Sequence, residues 1–104
     1  MDRPDTEEYV ELVLACVERV PAGRVTTYGA IAAHLGSHGP RRVGNVLSAW
    51  GGPVPWWRVV RADGSLPPSH TGEALASYRE EGTPLRPSGR VDLPEAFWDP
   101  DDPT

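Results

Sequence analysis

The chain has no lysine, one cysteine, one phenylalanine and no apolar run that approaches the length of a bilayer crossing. Each shortage excludes something. Cys16 has no second cysteine to pair with, so an intrachain disulfide is ruled out and a reducing compartment fits. Without an apolar stretch of about 20 residues there is no candidate transmembrane helix. Residues Met1 to Glu8 are acidic and polar, unlike a signal peptide, so a cytoplasmic protein is expected. His34, His38 and His70 share no metal-like spacing with Cys16 or with the carboxylates, so no metal and no cofactor are expected.

A chain of 104 residues can bury one core without staples, and with no internal repeat it is expected to form a single domain over residues 1–104, as a monomer. The net charge of −5 hides an uneven distribution. Between Arg19 and Ala62 lie six arginines and no Asp or Glu, whereas the flanks carry four arginines and all fifteen acids, so an island of +6 sits between flanks that total −11. An acid-free island of this kind is the footprint of a surface that meets phosphate, and its alternative is a chance cluster of solvated arginines. With three to five of the six on phosphate, log K for a nucleic acid would fall with log salt at a slope of about −3 to −4.

Hydrophobic spacing predicts a mostly α domain with a small β-hairpin. Asp5 and Glu8 resemble a capping box, and Val10, Val13, Leu14, Val17 and Val20 recur at helical intervals until Pro21-Ala22-Gly23. Thr27 is placed to cap a short helix, Tyr28 to Leu35, which Gly36 stops. After the turn Ser37-His38-Gly39, Pro40 suits the first position of a third helix, with Val43, Val46 and Leu47 inward and Arg41, Arg42 and Asn45 outward. Two helices joined by a glycine-bearing turn form a helix-turn-helix pattern, winged-helix-like if the hairpin follows. Trp57 to Val60 reads as a short strand and Asp63-Gly64 as its hairpin turn. Thr71 is placed to cap a last helix, Gly72 to Glu81, ended by Gly82. The Pro-rich remainder is expected to be ordered where Val91, Leu93, Phe97 and Trp98 dock.

Local rules are broken on one face of the third helix. Arg41 and Arg42 lie in its first turn, where cations oppose the helix dipole at about 0.3–1 kcal/mol each, and Gly44 in its middle costs about 1 kcal/mol relative to Ala. An anionic ligand that approaches closely would offset both. Tyr28, with two threonines before it and a glycine after, has little to pack against and reads as functional. Cys16, among Leu12, Val13 and Val17, reads as core. Trp50 and Trp98 read as core or interface aromatics.

Pro55-Trp56-Trp57-Arg58-Val59-Val60 resembles Pro-Cys-His-Arg-Val-Val, the signature of the O6-alkylguanine-DNA alkyltransferases, with indoles at both chemical positions. In that family the cysteine takes the alkyl group and the histidine takes the proton. Val25 to Ala32 resembles the segment whose tyrosine, here Tyr28, lies on the DNA backbone at the flipped nucleotide. Arg41-Arg42-Val43-Gly44 resembles the recognition motif whose first arginine fills the place of the extruded base. Glu80-Glu81-Gly82 resembles the place of the glutamate that orients the histidine, and Leu93 to Pro100 resembles the tail of the alkyltransferase-like proteins, which carry Trp for Cys. Those proteins mostly keep the histidine, and this chain departs from them at Trp57; Gly52 also replaces an Asn usual in the parent enzymes.

The resemblance implies a non-enzymatic protein that binds double-stranded DNA carrying an O6-alkylguanine, flips the base and directs the lesion to nucleotide-excision repair. It would be nucleoid-associated when bound. Arg24, Thr27, Tyr28, Arg41, Arg42, Gly44 and Asn45 would then contact DNA, and Tyr28, Pro55, Trp56, Trp57 and Arg58 would form the lesion pocket. The alternative is a helix-turn-helix transcriptional regulator that reads undamaged DNA through Arg41, Arg42 and Asn45.

Overall fold

In the computed structural model, which describes residues 6–36, 39–66 and 70–102, the chain runs α1 (Thr6–Arg19), β1 (Thr26–Thr27), α2 (Tyr28–His34), α3 (Pro40–Trp50), a 3-10 turn (Trp56–Arg58), β2 (Val59–Val60), α4 (Thr71–Glu81) and α5 (Leu93–Ala96). Asp5, proposed above to start the first helix, and Ser37 and His38, in the turn between α2 and α3, lie outside the described residues. On α1 the spacing holds: Val13, Val17 and Val20 are buried, and Tyr9 and Cys16 join them on the same face. Thr27 caps α2 as expected, its hydroxyl oxygen accepting from the Ala30 N–H at 3.0 Å. Pro40 opens α3, which buries Val43 and Val46.

The strands correct the hairpin. β1 and β2 run parallel, in the register Thr26 to Val59 and Thr27 to Val60, with α2 and α3 as the crossover between them. Val25 bridges to Phe97 on the C-terminal segment: its N–H donates to the Ala96 carbonyl at 3.0 Å, and its own carbonyl accepts from Trp98 at 2.7 Å. The turn at Asp63-Gly64 does form, closed by the Arg61 N–H on the Ser65 carbonyl at 2.8 Å. Among the described residues no strand returns along β2, and the Gly64 carbonyl accepts instead from the Val91 N–H at 3.1 Å. A Cβ at Gly64, whose φ is +84°, would stand 2.4 Å from the Val91 carbonyl oxygen, so glycine is required there.

The strand expected from Trp57 is also shorter. A strand would send Trp56 and Trp57 to opposite faces. The 3-10 turn, held by the Arg58 N–H on the Pro55 carbonyl at 3.0 Å, lets both indoles pack on one cluster with Val25, Val60, Ala74 and Tyr78. Val59 faces the other way, into the core of α1, α2 and α3. The parallel pair thus divides the helix-turn-helix core from a second core under α4. At the N-terminus of α4, His70 and not Thr71 is the cap residue, since Thr71 is already helical. Gly82, left-handed at φ +74°, ends that helix. Val91 and Trp98 dock as expected, whereas Phe97 stays exposed and Trp50, at the end of α3, is 59% exposed.

Candidate nucleic-acid interface

A cavity of about 290 Å³, near the lower end of the roughly 300–1,000 Å³ of small-ligand sites, opens where α3, the 3-10 turn and the start of α4 meet. Tyr28 and Trp56 line it. Gly44, Ser48 and Gly51 come from α3 and its end, one helical turn apart, so a row of small residues leaves the space. A Cβ at Gly44 would make ordinary contact with the Tyr28 ring at 3.9 Å, so packing alone does not demand glycine there. Burial pushes the Tyr28 phenol above its ordinary pKa although the charge of Arg61 lowers it, and the phenol therefore remains a donor at neutral pH. Leu47, Ser48, Gly51, His70 and Glu73 line the cavity but were not singled out from the sequence. The helical spacing from Gly44 could have found the α3 set.

A second groove adjoins it and shares Tyr28 and Gly44, with Pro40, Arg41 and Arg61 completing its lining. Here the arginine island divides. Arg19 lies over the Trp98 ring at 5.5 Å and Arg42 over Tyr9 at 4.5 Å. Arg24, expected to contact DNA, donates instead to the Ala96 carbonyl at 3.0 Å and to the Phe97 carbonyl. Arg58, expected in the pocket, is turned away from it onto Glu81. Arg41 and Arg61 alone of the six have no carboxylate, carbonyl or ring partner among the described residues. Asn45 is exposed on α3. No group of three or more His, Cys, Asp or Glu side chains among the described residues could hold a metal ion.

Trp57 and Pro55 do not line the cavity. The Trp57 indole N–H donates to Glu81 Oε2 at 3.1 Å, while Arg58 grips the same carboxylate with Nε on Oε1 at 3.1 Å and Nη2 on Oε2 at 2.6 Å. The Gly23 N–H adds a fourth bond at 3.3 Å, and Arg58 Nη1 reaches back to the Val20 carbonyl at 2.9 Å. Burial pushes the Glu81 carboxyl up, but the bonds from Arg58, Gly23 and Trp57 and the Arg58 charge outweigh it and hold the pKa below the usual range. The Trp57 carbonyl accepts from the Tyr78 hydroxyl. Its ring meets Trp56 edge-on, centroids 5.5 Å apart at 85°. Cys16 is 3% exposed, and burial pushes its thiol pKa up.

Residues 8–81 match the family model of the 6-O-methylguanine DNA methyltransferase DNA-binding domain. A DNA base-flipping protein of Escherichia coli is 36% identical over 94% of this chain and 78% of its own length. Alkyltransferase-like protein 1 of Schizosaccharomyces pombe is 30% identical over 90% of this chain and 97% of its own length. The crystal structure of S. pombe Atl1 with damaged DNA containing O6-carboxymethylguanine superposes with a TM-score of 0.79 at 26% identity, covering 95% of this chain and 99% of that one. The helix-turn-helix, the cavity at its back and the carboxylate behind position 57 thus agree with a match that runs through them all: the chain belongs to the 6-O-methylguanine DNA methyltransferase DNA-binding-domain family.

Proposed function

We infer that the protein recognises an O6-alkylated guanine in duplex DNA by drawing the base into the cavity between Tyr28 and Trp56, and that it leaves the alkyl group in place. The observation that carries this reading is the coincidence of that aromatic-walled cavity with the groove holding Arg41 and Arg61, the two arginines of the island with no carboxylate, carbonyl or ring-stacking partner among the described residues. Extruding a base costs a few kcal/mol, less for a damaged pair. Contact with Trp56, at about 1–3 kcal/mol, offsets part of it, and Arg41 filling the vacated stack at the start of α3 offsets more.

Transfer has no means. The Trp56 indole offers no lone pair for displacement at carbon, and Trp57 is a donor only, with that N–H spent on Glu81, so position 57 supplies no base. Cys16 is buried and its thiol is the less acidic for it. The family resemblance further supports delivery of the marked lesion to nucleotide-excision repair in the cytoplasm.

The test is binding to matched duplexes with guanine or O6-methylguanine, followed by the intact mass of the protein. Tighter binding to the lesion with unchanged mass is expected. Equal affinity, with strong preference for particular undamaged sequences, would instead support a transcriptional regulator reading DNA through Asn45 on α3. A gain of one methyl would overturn the non-enzymatic reading.

A further inference from the structure

The cavity wall contains an imidazole and a carboxylate that are bonded to each other. His70, at the cap of α4, and Glu73, in its first turn, both line the cavity, with His70 Nδ1 3.1 Å from Glu73 Oε1. The imidazole ring also lies 5.5 Å from the Trp56 ring at a tilt of 55°. A base resting against Trp56 therefore meets this pair. The other side-chain polar atoms of the lining are the hydroxyls of Ser48 and Tyr28, which can donate or accept, and the Trp56 indole N–H, which can only donate.

Guanine and O6-alkylguanine differ at one atom that such a pair can sense. Guanine carries a hydrogen on N1 and offers a donor there, whereas alkylation at O6 removes that hydrogen and leaves N1 as an acceptor. The exocyclic amine is a donor in both. Glu73 holds the hydrogen of one imidazole nitrogen, so the other is an acceptor when His70 is neutral and a donor when it is protonated. The neutral ring matches guanine N1–H. The imidazolium matches the bare N1 of the lesion and opposes the N1–H of guanine.

Resting on the base-extrusion reading above, we propose that the His70–Glu73 pair reads the N1 edge of the extruded base, so that protonation of His70 selects O6-alkylguanine over guanine. Among the described residues Glu73 is the one carboxylate of the cavity lining, and His70 has no other carboxylate partner. The Glu73 carboxylate can also accept from the exocyclic amine of either base. Preference for the lesion should rise as pH falls, because the discriminating state is the protonated one.

The experiment measures affinity for matched guanine and O6-methylguanine duplexes from about pH 8.5 to about pH 5.5, the interval in which histidines change charge. The wild-type lesion preference is expected to grow about tenfold on acidification, the scale of one hydrogen bond to a charged group that is partly solvated. In His70→Gln, which keeps a donor and an acceptor but does not titrate, the preference should not change with pH. A duplex with O6-methyl-1-deazaguanine, in which C–H replaces N1, should remove the pH dependence from the wild type. An equal pH response in wild type and His70→Gln, or its persistence with the deaza base, would overturn the proposal. Fluorescence of a 2-aminopurine next to the lesion separates the two readings. If it reports unstacking while the preference stays flat with pH, only the His70 assignment fails; if it reports none at any pH, extrusion fails and takes this assignment with it.

Discussion

Trp56 and Trp57 are neighbours with the same side chain, yet they serve two regions that behave differently. Trp56 lines an open cavity, with His70 tilted against it. Trp57 does not line it, and has its N–H on Glu81 and its carbonyl under the Tyr78 hydroxyl. Around Trp57 the polar groups are paired, with Glu81 accepting from three residues besides its place on α4. Around Trp56 the lining combines the Tyr28 ring, two leucines, a row of small residues and the exposed His70–Glu73 pair. A carboxylate suited to hold an imidazole can hold an indole in the same way, because an N–H is all it asks for. What the indole cannot return is the lone pair that chemistry would need. The frame has kept its rigidity on one side of the 3-10 turn and its emptiness on the other.

The strongest way to break this contrast is to remove the clamp. Arg58 and Glu81 side chains are only 16% and 13% exposed, so taking away one partner leaves a nearly buried charge with no counterpart. Arg58→Ala is expected to cost about 3 kcal/mol of unfolding free energy, toward the lower end for a buried pair because some solvent reaches it. Urea titration measures this. The double replacement of Arg58 and Glu81 by leucine should recover part of the loss; if it is as destabilising as the sum of both single changes, the pair is not coupled. Acidity should act on the same clamp. Because the Glu81 pKa lies below its unfolded value, its contribution is present above the ordinary glutamate range and is lost as pH falls through the depressed folded value. Denaturation midpoints between about pH 6 and about pH 3 should therefore decline more in wild type than in Glu81→Gln.

Replacing the two tryptophans one at a time sharpens the comparison at a smaller scale. Trp56→Ala should weaken lesion binding by about 1–3 kcal/mol with less effect on stability, since its ring is a wall and not a strut. Trp57→Phe should do the reverse: it keeps the ring but leaves Glu81 one donor short, at about 1 kcal/mol of stability. Trp57→His returns an N–H to Glu81 and should recover much of that loss. Trp56→Cys alone should take a methyl from O6-methylguanine only slowly, since an ordinary thiol is a few per cent thiolate at pH 7, and the addition of Trp57→His should speed it. Rapid transfer by the single variant would show that position 57 is not where the base stood.

The helices were legible in the sequence because their signals are local: Thr27 caps α2, Pro40 starts α3, Gly82 ends α4. The hairpin was not, because the partner of Val59–Val60 is set by a crossover that brings Thr26–Thr27 alongside, and no local pattern encodes that. The pocket was half legible. Tyr28, Gly44 and Trp56 stood out, whereas His70 and Glu73 carry no mark beyond a spacing of three residues, which helix caps show everywhere. Trp57 and Arg58 were assigned to the pocket through the resemblance of Pro55–Val60 to the alkyltransferase signature. Their bonds to Glu81 keep the Trp57 N–H and the Arg58 guanidinium out of it.

The arginines give the finest version of the same contrast, committed groups against uncommitted ones. Six charges in the island suggested a salt slope of about −3 to −4, but Arg19, Arg24, Arg42 and Arg58 are spent on rings, carbonyls or Glu81. With Arg41 filling the stack and Arg61 left to meet phosphate, the slope of log K against log salt should be about −1, at roughly 0.9 per contact. Arg61→Ala should flatten it by about 1 and weaken lesion and undamaged duplexes alike. Arg41→Ala should cost about 1–3 kcal/mol on the lesion duplex with little change in slope, as expected of a side chain that fills the stack and does not sit on phosphate. Arg42→Ala should leave the slope alone and lower stability by about 0.5–1 kcal/mol, the worth of its seat over Tyr9. If Arg42→Ala instead flattens the slope as much as Arg61→Ala does, the guanidinium leaves Tyr9 when DNA arrives, and the division between committed and free arginines holds only for the unbound protein.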